Sequence, residues 1–448
     1  MSKVFKAGYA KANITPPMGI DVRGYFKVRK ADGVLDELET VALALSLDDK
    51  KVLLISIDNC SAPNDFIDLA RTKINEKTGV PYDAILIHST HTHTGPKLSL
   101  IDADELAEKY YYFVLDRVVD VATFALADLK PAKMGYAFSK APNISFVRRF
   151  KMKDGSYKTN PGVNNPDILE PVGEIDDTVN VLRFDREGAE TIVLANFGDH
   201  PDTVGGCKIS GDWPSLTRHF IEKCIDNTKA IFFNGAQGDI NHVNVHPKGG
   251  DLNGMFLDFD DVSRGYPHAI HMGRVVTGAV MQVYEKVNYV EVDRLNYALK
   301  SVEFFTNKVT DPEKLALAHK YNDLHKAGKD DEIPYKAMML TTVVAEAGRI
   351  VALEHEPDTK SMLFTAIAIG PVAFIGIPGE PFNEIGKGLK TAEGYDMILP
   401  CCLVGANGYF PMSDSYDQGG YEGRSSRWKR GTGEKIIEEG KKLLSEIK

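Results

Sequence analysis

The chain has 448 residues, 43% of them hydrophobic, with 53 Lys and Arg against 63 Asp and Glu for a formal net charge of −10. That is enough apolar material for one large or two ordinary globular cores. No Lys/Arg stripe stands out beyond Arg424–Arg430, which mixes in serines and a Trp. Nucleic acid is therefore not expected as a partner, because phosphate binding needs a basic footprint, and the acidic balance argues against stable association with anionic membranes as well.

The longest apolar runs, Val41–Leu47 and Val52–Ile57, have strand length, not the roughly 20 residues of a membrane span. Lysines at 3, 6 and 11 and the lack of a continuous apolar segment give no secretory signal. The five cysteines, at 60, 207, 224, 401 and 402, lack metal-ligand spacing and fit reduced thiols in a cytoplasmic protein.

In chain order, residues 4–15 read as an opening strand ending at Pro16-Pro17. Glu39–Leu47 and Lys51–Asp58 read as a strand pair around Asp48-Asp49-Lys50. Pro63–Lys77 has helical spacing and stops at Gly79, and the next strand runs from Ile85 into a histidine cluster. This strand–helix–strand order implies an α/β core with chemistry at the carboxyl edge of its strands. A long helix over about 104–129 and a strand at Lys133–Ser139 follow. Residues 142–174 read as an irregular, polar binding loop or lid. Val179–Phe184 and Thr191–Phe197 form a hairpin that runs out into Gly198-Asp199-His200-Pro201. A helix at Asp212–Cys224, a buried strand at Ala230–Phe233 and a Gly-rich turn, Asn234–His242, come next. Residues 246–264 read as a surface loop over the site. Helices are expected at about 266–286, 311–326 and 334–354, with a strand at Val292–Thr306. Phe364–Ile369 and Val372–Ile377 form a hairpin ending at Pro378-Gly379-Glu380-Pro381. A helix to Lys390, a strand at Met397–Leu403, an irregular Tyr- and Gly-rich stretch over 405–430 and a charged helix complete the chain.

The chemistry gathers at strand ends. In Ile85-Leu-Ile-His88-Ser-Thr-His91-Thr-His93-Thr-Gly95-Pro96 an apolar strand delivers three histidines. His91 and His93, on alternate residues, project to one side and face one cavity together. His88 reads as buried and structural. His200 and Glu380 stand at two further strand ends. Two neutral imidazoles and a carboxylate leave a tetrahedral zinc one open position, as catalytic sites do. Such a zinc lowers the pKa of a bound water to about 7 and polarises the carbonyl it attacks. The opposing readings are a hydrogen-bonded loop histidine for His200 and a solvated turn residue for Glu380.

Several of these motifs, in the same order over most of the chain, resemble the catalytic domain of the neutral ceramidase family, zinc amidases that cleave the N-acyl bond of ceramide. His91-Thr-His93-Thr-Gly95-Pro96 is similar to the family's His-Thr-His-Ser-Gly-Pro. Asp199-His200-Pro201 is similar to its Thr/Cys-His-Pro, Pro378-Gly379-Glu380 to its Pro-Gly-Glu, and Tyr409 with Tyr421-Glu422-Gly423 to its Tyr-Ile-Thr-Thr…Tyr-Glu-Gly segment. The resemblance implies one α/β catalytic domain over residues 1–448, with two mixed β-sheets flanked by helices and a helical excursion at 311–358. It implies zinc ligation by His91, His200, Glu380 and Tyr409, with His93 beside the metal for proton transfer or substrate contact. Arg148 falls where the family has an arginine and Tyr421 where it has a second active-site tyrosine. Both suit stabilisation of a developing oxyanion. Arg149 is an equally plausible occupant of that position, and Tyr421 has packing as its alternative.

The chain departs from the family at Gly238-Asp239-Ile240-Asn241-His242, where the family has Gly-Asp-Val-Ser-Pro-Asn. Asn241 replaces the serine proposed there as a nucleophile, and hydrolysis by metal-activated water needs no serine. Asn241 and His242 become candidate substrate contacts, with plain turn residues as the alternative. With so little sequence after the tyrosine segment, the expectation is a member without the family's immunoglobulin-like C-terminal domain. The expectation is a soluble zinc hydrolase acting on a small, polar amide. A lactone or ester hydrolase for a sugar-derived substrate is the alternative, and a non-catalytic carbohydrate- or lipid-binding protein with a structural metal is the alternative of another class.

Overall fold

The computed structural model describes residues 4–448. Strands Glu39–Leu47 and Lys50–Ile57 are buried along nearly all of their length, as near-continuous Val, Leu, Ile and Ala runs require when a sheet is covered on both faces. They pair antiparallel across the Asp48-Asp49 turn. They belong to a mixed sheet whose strand path is Thr228–Asn234, Thr191–Phe197, Thr178–Arg186, Lys130–Lys140, Phe5–Asn13, Glu39–Leu47, Lys50–Ile57 and Ile85–Ser89. The short strand Asn288–Val290 also pairs with Lys130–Lys140. Both terminal pairs of the path are parallel, so Ile85–Ser89 and Thr191–Phe197 deliver their carboxyl ends to loops.

A second mixed sheet orders Leu295–Phe305, Thr359–Ile369, Val372–Gly376 and Met397–Cys401, the last pair parallel. Its Ile367, Phe374 and Leu399 share one apolar core with Ile231 and Phe233 of the first sheet. Backbone bonds cross the seam: Cys402 N donates to Asn234 O at 3.0 Å and Ser89 N to Leu403 O at 3.2 Å. The seam thus runs beside the loops that carry the candidate ligands.

Helix Glu105–Ala127 packs on the first sheet, and its start is fixed by Asp104, whose carboxylate accepts from Ala107 N at 2.8 Å. Asp212–Cys224 packs against Tyr266–Val283. Asn383–Leu389 and the C-terminal helix Thr432–Glu446 supply Ile385, Leu389, Ile436 and Leu443 to a second core on the other sheet. The excursion is a helix pair, Pro312–Lys326 and Ala337–Leu353, closed by small apolar clusters of its own and tied back by Arg424, whose Nε donates to Glu346 Oε2 at 2.8 Å. Among the described residues no helix is long and apolar enough to cross a membrane.

The expectation of an irregular segment at 142–174 is corrected here. Arg149–Met152 forms the centre of a three-stranded sheet with Tyr157–Thr159 and Ile168–Pro171. Strands of three or four residues leave no periodicity to read, though Asp154-Gly155 is a hairpin signal. The 405–430 stretch likewise contains Tyr409–Phe410 and the short helices Asp414–Gln418 and Gly420–Ser425.

Candidate metal centre

His91 stands two residues beyond its strand with a φ of 76°, a conformation that strains a non-glycine residue by about 1 kcal/mol or more. Backbone bonds hold it there: Thr90 N donates to Ile57 O at 2.9 Å and His91 N to Asn59 O at 2.8 Å. His93 N donates to Pro201 O at 3.0 Å, clamping this loop to the one that bears His200. Asn234 joins the two loops again, its side-chain amide donating to Thr90 O and Asp199 O, both at 3.1 Å. His88 turns away from the site and its Nε2 accepts from Asn234 N at 3.0 Å, the structural role read from the strand period.

The second sheet brings the carboxylate. Residues just past its strands form a two-residue parallel pair in which Glu380 sits opposite Tyr409. Gly379 permits that approach, because a Cβ there would lie 2.5 Å from the Gly408 carbonyl and 2.5 Å from the Phe410 ring.

Four side chains converge. His91 Nε2 lies 3.1 Å from His93 Nε2, 3.1 Å from His200 Nε2 and 3.2 Å from Glu380 Oε2, and His200 Nε2 lies 3.9 Å from Glu380 Oε2. His91 Nδ1 donates to Cys60 O at 2.7 Å and His200 Nδ1 to Gln237 O at 3.2 Å. These outward bonds fix the tautomer that leaves both Nε2 lone pairs facing inward. Glu380 Oε2 is buried with no hydrogen-bond partner. Lone pairs and an anion packed face to face repel unless a proton or a metal cation lies between them. Donors held tetrahedrally at about 2.0–2.1 Å from a zinc-sized ion are separated by roughly 3.3 Å, close to two of the three spacings among His91, His200 and Glu380. His91, His200 and Glu380 therefore fit a metal ion. His93 approaches closely enough to be a further donor, and Cys60, His91 and His93 form an overlapping group.

Among the protein groups alone, burial disfavours a charged His91, yet the Glu380 carboxylate carries its pKa well above the usual value. Burial, with His91 next to it, holds His93 neutral. Burial, with Arg148 and His91 nearby, does the same for His200. Burial would raise the Glu380 pKa, but His91 and a hydrogen bond from Tyr409 pull it below the usual carboxylate value.

Arg148 is 4% exposed and stands behind the site. Its Nε donates to Glu422 Oε1 at 2.7 Å, and its Nη2 donates to Gly238 O at 2.7 Å and to the Tyr409 hydroxyl at 3.2 Å. Glu422, fully buried, accepts from the Thr159 hydroxyl at 2.7 Å on its other oxygen. Arg149 points elsewhere, donating to Gln418 at 2.6 Å and lying over the Phe382 ring. Burial, with Glu380 close by, raises the Tyr409 pKa well above the tyrosine value and keeps its hydroxyl protonated. The Tyr421 ring lies 5.5 Å from that of Tyr409.

An open cavity of about 320 Å³ leads to this cluster, with His91, His93, Glu380, Tyr409 and Tyr421 in its wall alongside Tyr25 and Phe26. Arg148 and His200 are not in the wall. Asn241 and His242 are absent from it too. The Asn241 amide donates to Asn160 and its oxygen accepts from Val243 N, while His242 bonds to Ser263 O at 2.8 Å and faces Asp202 at 3.3 Å. Cys60, which also lines the cavity with its Sγ 3.8 Å from His91 Nδ1, and Glu422 are the residues that sequence reasoning gave no role. The Tyr421-Glu422-Gly423 motif was a signal for the second; a lone cysteine gave none for the first.

No protein-family model and no curated protein sequence matches the chain. Solved structures do. The crystal structure of neutral ceramidase from Pseudomonas aeruginosa superposes with a TM-score of 0.74 at 16% identity, over 99% of this chain and 74% of that one. A ceramidase complexed with C2 gives 0.72 at 16% identity, over 99% and 76%. The likeness extends over nearly the whole of this chain, which has a mixed α/β, neutral ceramidase-like fold.

Proposed function

We propose that this protein is a zinc-dependent hydrolase that cleaves an N-acyl amide or a related carbonyl bond in a small, polar substrate. The observation that carries the reading is the convergence of His91, His200 and Glu380 at the base of an open cavity, with the carboxylate oxygen unpartnered. The likeness in fold to neutral ceramidases supports it. His91, His200 and Glu380 would hold the metal, with Tyr409 beside Glu380 as the fourth residue of the set. When bound, zinc supplies a Lewis acid that acidifies water and polarises a carbonyl.

The remaining work falls to the chain. His93, kept neutral and in the cavity wall, takes up a proton on the substrate side and returns it to the leaving group. The Tyr421 hydroxyl, protonated because burial raises its pKa, donates to the carbonyl oxygen as charge develops on it. Arg148 acts through Tyr409, whose hydroxyl it holds in place; this replaces direct contact with the carbonyl.

Metal analysis of the purified protein tests the reading together with hydrolysis assays on matched amides, esters and lactones, before and after chelation. The expected result is stoichiometric zinc, chelator-sensitive hydrolysis, and loss of both in His200→Ala. A protein that purifies without metal, binds none on addition and hydrolyses none of the three classes overturns it.

A further inference from the structure

A second cavity of about 330 Å³ adjoins the first, and Tyr421 stands in the wall of both. Its other walls come from the small sheet at 149–171 and from the excursion helix Ala337–Leu353. Apolar side chains, Pro161, Met338 and Met339, line part of it. Three basic residues, Lys158, Lys336 and Arg424, also border it, with two acidic ones, Asp260 and Asp261. Arg424 is neutralised by Glu346, and the wall carboxylate Asp260 by Arg264, whose Nη2 donates to it at 2.8 Å. Lys336 makes no ion pair among the described residues, and Lys158 has only a through-space attraction to Asp154. Against these two ammonium groups stands one exposed carboxylate, Asp261. Three non-glycine residues of this wall hold positive φ, Asn160 at 46°, Asp261 at 62° and Ala337 at 50°. Ala337 has no side-chain hydrogen bond to offset its strain, and such strain gathers where a fold positions a ligand.

We propose that the second cavity receives the far end of the substrate, and that this end is an anionic group carried on an apolar spacer. The spacer packs against Met338, Met339 and Pro161, the anion meets Lys158 and Lys336, and the scissile carbonyl lies on the other side of Tyr421. This rests on the amide-hydrolase reading above and names its substrate class.

The test uses the zinc-loaded full chain and chromogenic anilides of acyl groups of graded length, each ending either in a carboxylate or in its methyl ester. The readout is the ratio of kcat/KM for carboxylate over ester. At the best chain length the ratio is expected to be about tenfold, the scale two exposed charge contacts supply, and to shrink as ionic strength rises. In Lys158→Gln/Lys336→Gln it falls to near one, and Lys336→Gln alone gives an intermediate value. Calorimetric binding of the corresponding free dicarboxylic acids to chelator-treated protein should weaken in the same order, which separates binding from turnover. Equal rates on acid and ester, or a preference that survives the double substitution, overturn this inference and leave the hydrolase reading standing. Hydrolysis of neither series overturns this inference, and the hydrolase reading falls with it only if the metal analysis and the ester and lactone assays fail as well.

Discussion

Glu422→Gln isolates the most heavily buried charge pair behind the site. The Arg148 guanidinium is 4% exposed and has three acceptors, the Glu422 carboxylate at 2.7 Å, the Gly238 carbonyl at 2.7 Å and the Tyr409 hydroxyl at 3.2 Å. Only the first carries charge. The substitution preserves shape but leaves a fully buried cation facing two neutral acceptors and an amide, and it also takes the carboxylate from Thr159. Breaking one side of a buried ion pair costs about 3–5 kcal/mol. Because glutamine still offers one acceptor oxygen, the lower end, about 3 kcal/mol, is expected. Equilibrium denaturation in urea measures it as a drop in midpoint at unchanged slope. Replacing both partners by methionine removes the stranded charge, so Arg148→Met/Glu422→Met should be less destabilised than Glu422→Gln alone. Turnover should fall in the double variant, since Tyr409 loses its anchor there. A Glu422→Gln protein within about 0.5 kcal/mol of wild type, or a double variant worse than the single, refutes the claim that Glu422 holds the buried charge in balance.

His88 is fully buried and its pKa is lowered to about 3, chiefly by burial. An unfolded histidine binds a proton below about 6.5 and the folded one does not, so this group's contribution is complete above pH 6.5 and is lost as pH falls toward 3. A His88→Gln variant should show a flatter fall in denaturation midpoint over that window, by up to about 4 kcal/mol at the acid end. Gly379→Ala should push Glu380 and Tyr409 off their pairing, because its Cβ meets backbone and ring at 2.5 Å; metal titration should show affinity down more than about tenfold while far-ultraviolet circular dichroism stays unchanged. His93→Ala should depress turnover far more than metal content. Equal loss of both would overturn that role and make His93 a ligand, with its Nε2 3.1 Å from that of His91.

What the sequence discloses and what it hides divide along physical lines. Buried strands announce themselves by composition, so Ile85–Ser89, Thr191–Phe197 and Val372–Gly376 are legible, and with them the strand ends where His91, His200 and Glu380 stand. The three- and four-residue strands of the 149–171 sheet have no period to detect. Side-chain direction is hidden as well. Arg148 and Arg149 are neighbours of one type, and the alternation of adjacent side chains where strand Arg149–Met152 begins sends one toward Tyr409 and the other toward Phe382. Asn241 and His242 occupy a turn that ends close to the site, but their polar atoms are consumed by loop contacts that form only in the folded chain.

The proposed ligand set would draw its imidazoles from loops of the first sheet and its carboxylate and phenol from loops of the second, so an ion held there would act as a gauge across the seam. Any slip of one sheet along the other changes the donor spacing directly, and a bound ion resists that slip with its full coordination energy. Occupancy therefore couples to whole-molecule rigidity: loading the site should slow amide exchange on both sides of the seam, at Asn234 as well as at Cys402, and not only in the loops that touch the ion.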